Sequence, residues 1–241
     1  MIKRVDGRTN DELRPVQIKV GYLAYAEGSA LIQMGNTRIL CAVNFEDRVP
    51  NFLKGEQSGW ITAEYAMLPS STHTRTPRSA PDRTGGRSQE IQRLIGRSLR
   101  AVADLPSFGE RTFIVDCDVI QADGGTRTAA ITGGYVALYQ ALHKLKSNGV
   151  LHSIPLKSAV AATSVGIVDR EELLDLCYQE DFAASVDFNV VMTDKGEFVE
   201  IQGTAEGKPF SRAKIDSLLL LAEKGIRQLF DSQKAAIATI S

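Results

Sequence analysis

The 241-residue chain is poor in the residues that build metal clusters and disulfide frameworks, with three cysteines and three histidines. Cys41, Cys117 and Cys177 are scattered, with no CxxC pair, which suits a reducing compartment better than a disulfide scaffold. His73, His143 and His152 are too isolated to suggest zinc. No apolar run approaches the roughly 18 residues of a membrane span. The polar start MIKRVDGRTNDELRP has no signal-peptide pattern. A cytoplasmic protein with no membrane contact is expected. An excess of one charge is missing too: 28 basic and 29 acidic residues leave a net −1, so any nucleic-acid site must be local. There is no low-complexity tract and no evident flexible linker. With 43% hydrophobic residues, one large domain or two closely packed lobes can bury an ample core.

What is present falls into two similar halves. Residues 16–45 are rich in β-branched and aromatic residues and broken at Glu27-Gly28 and Gly35-Asn36, which predicts two hairpin connections. Residues 51–86 carry many prolines, serines and glycines around the strand-like WITAEYAML. From Ser88 to Asp104 the period changes: Ile91, Leu94, Ile95, Leu99 and Val102 share one helical face. In TFIVDCDVI, Phe113, Val115, Cys117 and Val119 alternate onto one face of a strand. Residues 129–146 predict a helix that tolerates Gly133-Gly134 at some cost. After a turn at Ser147-Asn148-Gly149 come strand patterns over 156–169, 185–193 and 197–203, then a helix capped by Ser211. The class is α+β, with portions 1–149 and 150–241.

One stretch, QADGGTRTAA at 121–130, has more chemistry than a connector needs. Two glycines permit unusual backbone angles, and the helix that follows offers unpaired N–H groups and a positive dipole end. With Thr126 and Arg127 added, an anion pocket of phosphate size is predicted. Between Ser70 and Arg100 lie seven arginines against two acids, a local charge of +5 with no lysine. Planar, bidentate phosphate recognition asks for that residue type. Arg93, Arg97 and Arg100 form a stripe at i, i+4 and i+7, and Arg87 precedes the helix beside Gly85-Gly86 as a second anion site. Alternatively Glu90 pairs with Arg93 or Arg97 on a solvated face. Asp181 and Asp187 are six apart, which puts them on one face if the segment is extended, and two carboxylates beside a phosphate suit Mg²⁺. Asp116 and Asp118 are the alternative pair. Trp60, Tyr65 and Phe52 are candidates for stacking on bases or for the core, and His73 for RNA contact or solvent.

Six ordered blocks carry a resemblance: RVDGRTNDELRP, WITAEYAMLP, GGRSQEIQRLIGRSLR, DCDVIQADGGTRTA, DFNVVMT and EIQGTAEG. Together they resemble the ribonuclease PH family of phosphate-dependent 3′ exoribonucleases, in order from about Arg4 to Gln233. That resemblance implies a two-layer αβ domain with a smaller C-terminal portion. It implies inorganic phosphate held by Arg87, Gly125, Thr126 and Arg127, with Asp181 and Asp187 as the catalytic and Mg²⁺-binding acids. It further implies RNA contacts in the arginine-rich segment, at Arg75, Arg78, Arg93 and Arg97. The expected substrates are tRNA precursors and other RNA 3′ ends, and the expected assembly is a homohexamer, a trimer of dimers. The chain departs from the family pattern with Pro77, Pro81 and Arg83 in a shortened loop and with Cys177 at a position usually acidic.

Overall fold

A computed structural model describes residues 4–77 and 85–240. The first half opens with three antiparallel strands, β1 (Val16–Val20), β2 (Gly28–Met34) and β3 (Thr37–Glu46). The two hairpin breaks fall where the turn residues put them, the second as the two-residue turn Gly35-Asn36. Strand β4 (Trp60–Met67) leads into α1 (Gly85–Ala101), and β5 (Thr112–Gln121) returns parallel to β4. The sheet order is β1-β2-β3-β5-β4. Then comes α2 (Thr126–Ser147), closed by Asn148 and by Gly149 at φ 73°.

The second sheet has the order β7-β6-β8-β9, all antiparallel: β6 (Val160–Val168), β7 (Glu171–Leu174), β8 (Val186–Thr193) and β9 (Phe198–Ala205). A short helix, α3 (Tyr178–Ala183), joins β7 to β8, and α4 (Arg212–Ile237) closes the chain. Ser211 is the cap of α4, but its hydroxyl makes no capping bond; its carbonyl accepts from Lys214 and Ile215 N–H instead. Strand β7 and helix α3 lack the apolar periodicity that marks the other elements, and the pattern of the chain does not predict them.

Each half lays a sheet against helices, and α2 is common to both. It packs on β2 and β3 of the first sheet and on β6 of the second. Fifteen of its 22 residues are buried, so its apolar character runs around the cylinder rather than along a stripe. Gly133 has a structural reason: a Cβ there would meet Ile32 Cγ2 at 2.7 Å, so a larger residue would push helix from strand. The predicted rows form the core, with Ile91, Ile95, Leu99, Val102, Phe113, Val115 and Val119 fully buried. The buried face of α4 is Leu218, Ala222, Ile226, Leu229 and Phe230, flanked by half-buried Ile215 and Leu219.

Candidate active site

The site gathers around the loop between β5 and α2. Gly125 caps α2 in the left-handed region, at φ 64° and ψ 26°, and among the described residues no side chain makes a capping bond to the start of the helix. The helix therefore presents free donors and its positive end to the same opening. Gly124, at φ 75°, cannot be larger, because a Cβ would stand 2.4 Å from the Leu176 carbonyl. The bare glycine thus lets the loop backbone lie directly against the segment leading into α3.

Buried polar groups hold the loop from behind. Arg14 is buried and forks onto Asp175, donating from Nε to Oδ2 at 2.9 Å and from Nη2 to Oδ1 at 2.6 Å. The same guanidinium donates to the carbonyls of Asp123 and Gly124. The Thr37 hydroxyl also donates to the Gly124 carbonyl, at 2.7 Å. Asp175 is fully buried and sits at φ 52°, a strained angle for a residue with a side chain. Burial alone would raise its pKa, but the Arg14 charge and hydrogen bonds prevail and hold it below the ordinary carboxylate value. Neither residue stands out by periodicity or charge clustering; the only sequence signal is that Arg14 lies inside the RVDGRTNDELRP block.

Into the opening project the residues singled out by type. Thr126, nearly buried, accepts a 2.8 Å hydrogen bond from the Tyr65 hydroxyl. Tyr65 is thus core and support rather than a base platform. Arg127 Nη1 donates to Glu90 at 3.1 Å and to Gln202 at 2.6 Å, while the Gln202 amide donates to Glu90 at 2.7 Å. Glu90 is therefore turned across the site to Arg127, not along α1 to Arg93 or Arg97. Its pKa is lowered by the Gln202 bond and the Arg127 and Arg87 charges, against a partial desolvation that raises it.

Arg87 lies within the first turn of α1, not before it, because the helix begins at Gly85. It is exposed, and its charge acts on Tyr65, Glu90 and Asp181. The acids meet by a different route from the one their spacing suggests. Residues 178–183 are helical, so Asp181 and Asp187 do not share a strand face. Glu180 is the cause: its carboxylate accepts from the Cys177 N–H at 3.0 Å, and both its oxygens are gripped by Arg4 at 2.7 Å. Asp181 hangs from that helix and Asp187 from the start of β8, and the two carboxylates repel each other. Both pKa values are raised, first by desolvation; for Asp181 the charges of Arg87, Arg127 and Arg14 pull the other way. Two acids thus face two arginines across the mouth of α2.

Other candidates stand apart. Asp116 and Asp118 lie on the opposite face of β5 from its buried row, where their charged neighbours are Glu64 and each other. Arg93 and Arg97 are exposed and line a 250 Å³ hollow with Glu90 and Gln202, and Arg97 is paired with Glu200. Arg100 leaves the stripe: it donates to the Ile61 carbonyl at 2.7 Å and covers the Trp60 ring at 4.2 Å. Trp60 is thereby occupied, with Phe52 edge-on to it at 5.3 Å. Arg75 and His73 are exposed in the loop after β4, which Ala122 N–H ties to the loop between β5 and α2 through the Ser71 carbonyl. Arg78 lies outside the described residues. Among the described residues no group of three or more His, Cys, Asp or Glu side chains gathers around one point. No helix among them is long and apolar enough to cross a membrane. A cleft of about 940 Å³ is not lined by the four charged site residues; it adjoins them through Asp123 and Tyr178.

Two family models match in chain order, the 3′ exoribonuclease family domain 1 over residues 12–143 and domain 2 over residues 158–225. The chain belongs to the 3′ exoribonuclease family. Within that family it is 60% identical over 234 residues to ribonuclease PH of Dehalococcoides mccartyi, covering 97% of each chain. It is 57% identical over 237 residues to ribonuclease PH of Syntrophomonas wolfei, covering 98% of this chain and 99% of that one. The fold matches rice Rrp46 with a TM-score of 0.78 and 20% identity, over 97% of this chain and all of that one. It also matches an Archaeoglobus fulgidus exosome with RNA bound to the active site, with a TM-score of 0.80 and 22% identity, over 95% and 92% of the chains. For these two structures the likeness establishes the fold alone.

Proposed function

We propose that this chain, whose relatives are named ribonuclease PH, is a phosphorolytic 3′-5′ exoribonuclease acting on tRNA precursors and other RNA 3′ ends. The observation that carries the reading is the convergence of Arg87, Thr126, Arg127, Asp181 and Asp187 on the N-terminus of α2. A phosphate oxygen attacks the phosphorus of the last phosphodiester, the P–O3′ bond breaks, and a nucleoside 5′-diphosphate departs. The shortened RNA keeps O3′ as a hydroxyl. Both reacting groups are anions, so their approach must be screened and aimed. Arg87, Arg127, Thr126 and the Gly125 backbone hold the phosphate, a task suited to fixed guanidinium forks and helix-end donors. Tyr65 donates into the Thr126 oxygen, which frees the threonine hydrogen for the phosphate.

Asp181 and Asp187 are positioned to supply the proton that O3′ takes up, since burial pushes both toward the protonated form. They also fit Mg²⁺, which binds through one or two carboxylates and completes its shell with water and phosphate oxygens. Such an ion would stabilise charge on the non-bridging oxygens. By reversibility the same site adds nucleotides from diphosphates. RNA contacts are assigned to Arg75, Arg78, Arg93 and Arg97. A homohexamer acting in the cytoplasm completes the reading: Tyr22, Leu23 and Tyr25 expose an apolar patch in one loop of the kind an assembly covers, and the three free cysteines are all buried. The division into portions 1–149 and 150–241 is supported by the separate sheets of the two halves.

The test is to incubate the purified protein with Mg²⁺ and a tRNA carrying extra 3′ nucleotides, with and without inorganic phosphate. Diphosphates released only with phosphate are expected. Monophosphates without phosphate would mean hydrolysis and remove the phosphate pocket from the mechanism. Binding without release would mean a catalytically silent RNA-binding subunit.

A further inference from the structure

We propose that Tyr178 and Phe182 form a stacking ledge for the unpaired bases next to the scissile bond of the RNA. The proposal rests on the exoribonuclease reading above. The two rings stand at i and i+4 on α3, their centroids 6.3 Å apart and inclined by 32°. Asp181 is three residues from Tyr178 on the same short helix, so the rings border the carboxylate that faces the phosphate site. Phe182 is 82% exposed and Tyr178 48%, and neither belongs to the core. His73 extends the row, its ring 6.0 Å from Tyr178.

The ledge is fixed rather than loose. Tyr178 N–H donates to Asp123 Oδ1 at 3.2 Å, which ties it to the phosphate loop. Arg4 grips Glu180 in the same helix. His73 and Tyr178 also line the 940 Å³ cleft, which leaves room for nucleotides beyond the first. The acids of that cleft are already engaged, Asp6 by Arg8 at 2.6 Å, Glu12 by the Thr9 N–H at 3.1 Å and Asp123 by Asn36 and Tyr178. Arg75, exposed in the His73 loop, has no ion-pair partner among the described residues and is available for a backbone phosphate. Stacking suits the task, because a ring accepts any base and an enzyme that shortens RNA stepwise must accept each base in turn.

The experiment compares Phe182→Ala and Phe182→Trp with the unaltered enzyme, measuring kcat and KM for an oligoribonucleotide and for phosphate. Phe182→Ala is expected to raise the RNA KM about tenfold with kcat and the phosphate KM unchanged, and Phe182→Trp to restore it. In parallel, an oligoribonucleotide with 2-aminopurine next to its 3′ end is titrated without phosphate. Its fluorescence is expected to be quenched by the unaltered protein and much less by Tyr178→Ala/Phe182→Ala. An unchanged RNA KM overturns the ledge, as does a loss confined to kcat. A change in oligomer size at unchanged KM also overturns it, and assigns the rings to a subunit contact. If the unaltered enzyme releases no diphosphate, the phosphorolytic reading fails instead, while the quenching still reports on stacking.

Discussion

Two glycine pairs followed by arginine, Gly85-Gly86-Arg87 and Gly124-Gly125-Thr126-Arg127, read almost alike, and both open a helix. Their surroundings differ completely. The second pair is pressed against Leu176 and clasped by buried Arg14, and its arginine is anchored to Glu90 and Gln202. The first pair is open: a Cβ on Gly86 would meet nothing within 4 Å, and Arg87 is exposed. One arginine is anchored, and the other is exposed with no hydrogen-bonded partner among the described residues. A phosphate held between them would be aimed chiefly by the anchored side, since positioning costs least where the donor is already immobilised.

Breaking the fixed side should have the largest effect. Arg127→Ala is expected to lower kcat/KM for phosphate by roughly 10²-fold or more, with RNA binding retained, as checked by phosphate titration beside filter binding. A normal phosphate dependence would remove Arg127 from the site. Next comes the clasp. Arg14→Ala leaves Asp175 charged and buried, which should cost about 3–5 kcal/mol in urea unfolding, whereas Arg87→Ala should change stability by no more than about 0.5 kcal/mol. Equal losses would erase the contrast between the two sides.

The glycines offer a finer comparison. Gly124→Ala combines a positive φ with a backbone clash and should destabilise by more than about 1 kcal/mol. Gly86→Ala, in open space within a helix, should be neutral or stabilise by up to about 1 kcal/mol. The clasp also has a pH signature. Asp175 and Glu180 have folded pKa values below their ordinary ones, so the unfolded chain binds protons more readily. Their stabilisation is complete above the unfolded values near pH 4 and is lost as pH falls through the lower folded values. Urea midpoints should therefore drop on acidification, and Arg14→Ala should show a smaller drop. The smallest effect is expected at Arg97, whose partner Glu200 is on the surface. Arg97→Ala should alter stability by less than about 1 kcal/mol while reducing the salt dependence of RNA binding by about one charge.

Much of this was legible in the chain because burial writes a period. The rows at Ile91–Val102 and Phe113–Val119 mark α1 and β5, and both lie in the core. Helix α1, however, begins three residues before its periodic stretch, at Gly85. Helix α2 begins three residues before its apolar run, at Thr126, where the glycine and threonine chemistry of the loop rather than the period marks its start. Their first turns face the site rather than the core, so apolar spacing cannot mark them. Asp181 shows the other limit. Its even spacing from Asp187 suggested a shared strand face, but capping by Glu180, held from a distance by Arg4, made the segment helical. The alternative pairing of Glu90 with Arg93 or Arg97 follows from the same-face neighbours a single helix offers; its actual partner Arg127 is 37 residues away.

The sequence by itself determined the α+β class, the core rows and the glycine pair that opens α2, since these follow from local periodicity and side-chain chemistry. The tertiary structure decided which arginine is fixed and which is free, how the two acids meet, and what holds the loop in place. Those outcomes depend on contacts across the chain, such as Arg14 with Asp175 and Arg4 with Glu180, whose energy comes from shared burial and has no period to read.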